Sequence, residues 1–306
     1  MDLQNRRGSP EWLSSPHGND RALQQLRGQG SSRPKLTSPG SQTPSRRIHI
    51  LRGEAGLGIS PADLGPETLF ALLNLTEAQR AILEDVFDRW AHSFGSQEGL
   101  DSLIRAIEDN RGLHPVSKKS LLRRLEGLRR SKLFRGGRLA IGDLIDPGSV
   151  LIVDLSDVSL EDQEKELVVA WISNKILRYR CELPNGSPAF LVVEDAEYFI
   201  PEDGGRTALS AHALERLARM GRKMKAGVIL VGQRPSLINR EILLSAANAI
   251  LHRLSPLEFK AFARIFPTLD WGIEREITKL PLGEAFLVGQ AVLTPLRFRV
   301  RALGGA

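Results

Sequence analysis

Ala189-Phe190-Leu191-Val192-Val193-Glu194-Asp195-Ala196-Glu197 runs a short apolar strand into two adjacent carboxylates. It follows Pro184-Asn185-Gly186-Ser187-Pro188, a stretch of turn-forming residues. Five consecutive apolar residues predict a strand buried on both faces, as in a parallel sheet covered by helices. Acids at the end of such a strand stand at the carboxyl edge of the sheet, where open α/β folds bind ligands. In phosphoryl-transfer chemistry one carboxylate there can hold a Mg²⁺ shell while the other orients the attacking water. The competing reading is a buried strand that ends in an acidic turn.

Downstream and upstream of this strand the pattern alternates. Val150–Leu155 reads as a strand, and Leu160–Arg180 as a long helix with a wide apolar face. A helix near Leu209–Lys225, a strand at Gly227–Gly232, a short helix from Asn239, a strand at Ala249–Leu254 and a helix at Pro256–Ile265 follow. Ala285–Gly289 and Leu296–Val300 close the chain as strands. Strand–helix–strand repetition with short connections predicts a parallel α/β sheet.

The region before Gly148 is different. Ile48-His49-Ile50-Leu51 reads as a short strand, and helices are expected at Pro66–Leu73, Thr76–Ser93 and Ser96–Asn110. Thr76 suits an N-cap, with Gln79 at the capping-box position. Between them, Gly53-Glu54-Ala55-Gly56-Leu57-Gly58-Ile59-Ser60 has the glycine spacing of a phosphate-binding loop, but Ile59 stands where the lysine belongs. An isoleucine cannot supply positive charge to the β/γ-phosphates. No Gly-Lys-Ser or Gly-Lys-Thr occurs anywhere in the 306 residues. Ser117–Arg138 is the most basic ordered stretch, with nine Lys/Arg against Glu126 alone. It is either the solvated face of an amphipathic helix or a contact for a phosphate backbone or an acidic neighbouring subunit.

Charge and composition constrain the remainder. The net charge is +6, of which residues 1–47 carry +5, leaving the other 259 residues close to neutral. Overall charge therefore does not by itself argue for nucleic-acid binding. The same 47 residues include eight Ser, five Pro and five Gly and no sustained apolar period, so they read as a disordered tail. The apolar runs are too short to span a bilayer and the N-terminus has no apolar h-region, which predicts a cytoplasmic protein with no membrane contact. Cys181 is the single cysteine, so an internal disulfide or a cysteine-based metal cluster is excluded.

Taken together, several stretches resemble one family. Glu194-Asp195-Ala196 ends the buried strand, and Gly221-Arg222-Lys223 comes near the end of the next helix. Gln233-Arg234-Pro235-Ser236 follows the strand after it, then Asn248, Arg253-Leu254 and Leu282-Gly283-Glu284-Ala285. In this order and spacing the set resembles the HerA–FtsK superfamily of hexameric DNA-pumping ATPases, most closely its HerA-like branch, over roughly Ile48–Leu303 and most strongly from Gly148 on. The resemblance implies a RecA-like P-loop NTPase core with a mainly parallel sheet and an inserted helical segment. The expected divisions are a basic tail (1–47), a mainly helical segment (48–145) and the second half of the ATPase core (146–306).

By position, the resemblance makes Glu194 the carboxylate of the Mg²⁺ shell and places Asp195 where the family usually has its catalytic glutamate. Gln233 becomes the sensor of the γ-phosphate, and Arg222, or else Arg253, an arginine finger reaching a neighbouring subunit's nucleotide. Glu197 stands where relatives commonly carry histidine. The implied cofactors are ATP and Mg²⁺. The implied partners are double-stranded DNA, further copies in a hexameric ring, and a nuclease. The lysine-bearing loop, which resemblance places before Ile48, is missing. Three readings follow: a subunit of an ATP-driven DNA translocase with an incomplete core, a non-catalytic DNA-binding or assembly module that keeps the fold, or a truncated gene product.

Overall fold

The computed structural model describes residues 47–52, 57–94, 99–134, 147–156, 160–202 and 208–301. These all belong to one compact unit, Thr43–Ala306. The first 46 residues of the basic tail, residues 53–56 of the glycine-rich stretch, and Arg135 and Arg138 lie outside the described residues.

Seven strands are present among the described residues, and they form three small sheets. β1 (Ile48–Arg52) runs parallel to β2 (Val150–Asp154), with Ile50 opposite Ile152. β3 (Ala189–Val193) runs parallel to β4 (Ala226–Leu230), with Val193 opposite Leu230. β5 (Asn248–Leu251), β6 (Glu284–Gly289) and β7 (Leu296–Arg299) form an antiparallel sheet. The expected parallel pairing therefore holds for the first four strands and gives way to antiparallel pairing in the last three.

Between β1 and β2 lie α1 (Pro61–Leu64), α2 (Pro66–Leu73), α3 (Glu77–Phe94), α4 (Leu100–Asp109) and α5 (Pro115–Leu128). Pro61, Pro66 and Pro115 each begin a helix, where the absent N–H costs nothing. Half of the predicted capping box forms at α3: the backbone N–H of Thr76 donates to Gln79 Oε1 at 3.0 Å. The long α6 (Asp162–Glu182) joins β2 to β3, with a complete capping box between Glu161 and Glu164. α7 (Ala196–Phe199) and α8 (Ala211–Gly221) lie between β3 and β4, and α9 (Arg240–Leu244) follows β4. α10 (Pro256–Ala263) and α11 (Trp271–Ile277) separate β5 from β6.

The helical segment does not stand apart from the strands. Leu69, Leu83, Leu103, Leu121 and Leu125 of α2 to α5 share one apolar core with Leu167, Val168 and Trp171 of α6. Ile59 is part of that core, 1% exposed, and its backbone N–H donates to Leu133 O at 2.9 Å. The neighbouring Ser60 is buried too, and its hydroxyl accepts from the backbone N–H of Ala62 to cap α1. The end of the glycine-rich stretch is thus a packed helix entry, not an open loop aimed at a phosphate.

β3 departs from the expectation of burial on both faces. Leu191 and Val193 face α6 and its neighbours, whereas Phe190 is 66% exposed and Val192 54% exposed. Ile229 of β4 and Ile152 of β2 are exposed as well. Among the described residues, nothing covers that face, and a run of apolar residues has no alternation to reveal which side is packed.

The basic stretch resolves into two groups of charges. Lys118 Nζ donates to Glu108 O and Asn110 O, at 2.6 and 2.9 Å, closing the C-terminal end of α4. Arg124 Nη1 donates to Leu73 O and Asn74 O at the end of α2, so both cations sit where the helix dipole favours them. Arg129 pairs with Asp101 and Glu126, and the Glu126 hydrogen bond contributes most to raising its pKa. Lys119, Arg123, Arg130 and Lys132 are exposed.

Candidate functional site

The carboxyl edge of β3 and β4 gathers Glu194, Asp195 and Gln233 from among the residues singled out above. β3 ends at Val193, and Glu194 and Asp195 form the corner before α7. Asp195 takes a left-handed conformation (φ 49°, ψ 48°), which only Gly, Asn and Asp adopt at modest cost. That kink stops the strand and starts α7 within one residue, leaving both carboxylates exposed. Beyond β4 the ladder continues for one more step: the N–H of Val231 donates to Val193 O and that of Ala196 to Val231 O, both at 2.9 Å. The exits of the two strands are therefore held side by side, and Gln233 leaves β4 beside the Glu194–Asp195 corner.

Glu197, from the first turn of α7, ties the two exits together. Its Oε1 accepts from the backbone N–H of Gln233 at 3.1 Å. The Gln233 side chain itself is exposed. Glu194, Asp195, Glu197 and Gln233 all border one crevice of about 1460 Å³, which extends along β2 and β3. A second depression of about 920 Å³ is lined instead by α4 and α5, including Arg123 and Arg130, and contains none of these residues.

The loop carrying Gln233 is fixed from its other side. Pro235 opens a single 3₁₀ turn, Pro235–Leu237, and is buried. Ser236 donates through both its backbone N–H and its hydroxyl to the carboxylate of Glu258 on α10, at 2.8 and 2.7 Å. Glu258 escaped the sequence reading. Its only signal was an acid three residues after the capping Ser255.

Arg222 is not brought to this edge. It belongs to the turn Arg222–Met224 just before β4, so it lies at the amino edge, a strand length of about 17 Å from Gln233. Arg222 thus stands at the end of β4 opposite to Gln233, because a strand separates its two ends by its full length. Arg253 is exposed just beyond β5.

Other residues of the recognised set prove structural. A Cβ on Gly221 would lie 2.5 Å from Ala226 O, so glycine allows the end of α8 to press against the start of β4. Gly221→Ala should cost about 1–3 kcal/mol by overpacking, read as a lower urea midpoint with unchanged slope. Asn248 Oδ1 accepts from the N–H of Ala291 at 2.7 Å, Gly283 has φ +81°, and Glu284 pairs with Arg297 at 2.7 Å. These three hold the antiparallel sheet.

The donor set suits a hard cation only in part. Glu194 and Asp195 offer exposed oxygens, the kind Mg²⁺ takes one or two of when phosphates and water fill its other positions. Among the described residues no group of three or more His, Cys, Asp or Glu could hold a metal ion unaided. No lysine-bearing phosphate loop is present among them either, and Ile59 is packed in the core.

Comparison with known proteins places the chain. A family model described as the central domain of helicase HerA matches residues 22–176, half of the chain. The DNA double-strand break repair helicase HerA of Sulfurisphaera tokodaii is 30% identical over 174 residues, covering 54% of this chain and 34% of that protein. HerA of Pyrococcus furiosus is 24% identical over 312 residues, covering 83% of this chain and 55% of that protein. The chain thus spans about half, or less, of the curated relatives it matches. VirB4 of Thermoanaerobacter pseudethanolicus has the same fold, with a TM-score of 0.60 at 14% identity, covering 84% of this chain and 82% of that one. The plasmid coupling protein TrwB in complex with ADP and Mg²⁺ aligns with a TM-score of 0.53 at 13% identity, covering 83% and 74%. The likeness to both structures is one of fold alone, an α/β P-loop ATPase fold. Sequence motif, fold and family match agree, and the chain belongs to the HerA helicase central-domain family, within the HerA–FtsK superfamily.

Proposed function

We propose that the joined exits of β3 and β4 are the water- and metal-facing half of an ATP-hydrolysing site, in a chain that serves as a subunit of a double-stranded DNA translocase. The observation that carries this reading is the pairing of Glu194–Asp195 with Gln233 across two parallel strands kept in register through Val231. Glu194 supplies an oxygen to the Mg²⁺ shell, and Asp195 orients the attacking water. Asp195 is one methylene shorter than glutamate, so the water it orients must lie closer. The Gln233 amide can donate to a phosphate oxygen and accept from that water. Bound Mg²⁺ would neutralise charge developing on the transferred phosphoryl group.

The described residues include no lysine-bearing loop to grip the triphosphate. DNA as the substrate is supported by the names of the relatives, DNA double-strand break repair helicases. Assembly of copies in a ring and a partner nuclease rest on the resemblance to the HerA–FtsK superfamily alone. Arg222, at the far edge, could serve only a neighbouring copy's nucleotide. No described helix is long and apolar enough to cross a membrane, and a cytoplasmic setting is part of the proposal.

The test is ATP hydrolysis by the purified chain with and without double-stranded DNA. Glu194→Gln and Gln233→Ala are each expected to lower the rate by about 100-fold. A rate indifferent to both changes removes the catalytic reading. The buried Ile59 favours one second reading, a DNA-binding or assembly module without hydrolysis. It predicts DNA binding that neither substitution alters and no ATP turnover.

A further inference from the structure

The geometry points to Glu197 as the positioning residue of this edge, the one that fixes Gln233 relative to the Glu194–Asp195 corner. The inference deepens the proposed site and rests on it for its catalytic meaning, but not for its structural content.

Three observations meet at this side chain. Its Oε1 accepts from the backbone N–H of Gln233 at 3.1 Å. Its Oε2 lies so close over the chain that a Cβ on Gly232 would stand 2.5 Å from it, so a side chain there would have to push the carboxylate off the exit of β4. That same Oε2 is buried and makes no hydrogen bond among the described residues. A glutamate that merely capped a turn would swing its second oxygen to water, because a buried acceptor without a donor is penalised. Glu197 is instead wedged, one oxygen engaged with Gln233 and the other pressed over Gly232.

The consequence is mechanical coupling. Glu197 is two residues from Asp195 on the chain, and α7 begins in the left-handed turn at Asp195. A shift of the carboxylate corner therefore moves the group that holds the backbone of Gln233. The Gln233 amide side chain is positioned through its main chain, which leaves that side chain open to the crevice. Ser236 and Glu258 anchor the loop from the other side, so Gln233 lies between two carboxylates that hold backbone N–H groups.

The inference is tested by amide hydrogen exchange of residues 231–235 in the intact chain without nucleotide, on Glu197→Ala, Glu197→Gln and Gly232→Ala. Loss of one hydrogen bond to a carboxylate should speed exchange at Gln233 about tenfold in Glu197→Ala. Gly232→Ala, which expels the carboxylate while keeping it on the chain, should do the same. Glu197→Gln retains the acceptor and should keep exchange slow. Slow exchange at Gln233 in both alanine variants overturns the inference. A melting temperature for each variant separates local loosening from global unfolding. With ATP, Glu197→Ala should lower kcat with KM nearly unchanged, since Gln233 is displaced but not removed. If the unaltered chain does not turn over ATP, the proposed function falls while the exchange result still decides the role of Glu197.

Discussion

Asp63→Ala is expected to lower the free energy of unfolding by about 3–5 kcal/mol, the cost of breaking a buried ion pair by removing one member. Asp63, in the first turn of α1, has a side chain only 1% exposed, and Lys175 Nζ of α6 lies 2.7 Å from its Oδ2. The Lys175 side chain is itself 8% exposed. Arg178, one helical turn on, donates to Oδ1 at 3.1 Å from a half-exposed position. Next to this pair, Asn174 Nδ2 donates to Leu64 O at 2.9 Å, while Asn174 Oδ1 accepts from Arg216 of α8 at 2.7 Å. The network fastens α1 to α6 and α6 to α8, and so links the helical segment to the strands that carry the site.

Removing Asp63 leaves the Lys175 ammonium in a setting that excludes water. Removing both charges does not. Asp63→Leu combined with Lys175→Met should therefore regain most of the loss, because well-packed apolar groups can match a buried ion pair. Thermal unfolding of the single and double variants decides this. At about 2–4 °C per kcal/mol for a domain of this size, the single change should lower Tm by roughly 10 °C. A single variant that melts within 2 °C of the parent would mean that the pair contributes little.

How legible this chain was depends on what kind of information each feature needs. β3 and β4 were found to within two residues because short apolar runs between turn residues mark strands, though not which of their faces is packed. The antiparallel pairing of β6 and β7 was missed although a signal existed. Only residues 290–295 separate them, and a parallel crossover needs a dozen or more. The helix Trp271–Ile277 was missed because it is barely two turns long, with Asp270 as its one clear cap.

The site was half legible. Glu194, Asp195 and Gln233 follow strands that could be read, so their common edge follows from parallel pairing. Arg222 precedes its strand, and the same rule places it at the opposite edge. Glu258 and Glu197 act through backbone N–H groups distant in sequence, and no periodicity announces such a contact. Asp63 and Lys175 are likewise joined only by the fold.

The second large effect is expected at Arg180, near the end of α6, whose guanidinium is buried and meets no carboxylate among the described residues. Nε donates to Met224 O at 2.9 Å, and Nη2 to Pro184 O and Gly186 O at 3.3 and 3.1 Å. One side chain thus closes both the turn before β3 and the turn before β4, setting where the two strands begin. Because the strands are parallel and in register, their starts determine how their exits align at Glu194 and Gln233. Arg180→Ala removes hydrogen bonds to three carbonyls and leaves a cavity, for an expected loss of about 3–4 kcal/mol. Arg180→Lys keeps the charge but cannot reproduce the planar fork, so it should recover less than half of that loss. Gly186→Ala supplies an independent check, since its Cβ would fall 2.6 Å from Arg180 Nη1 and push the guanidinium from its seat. Chemical denaturation of the three variants should rank them Ala worst, then Lys. The glycine variant should be destabilised in the parent but add little on top of Arg180→Ala. Full additivity of the two changes would show that Arg180 does not pin the turn, and that packing between α6 and the strands sets their register without it.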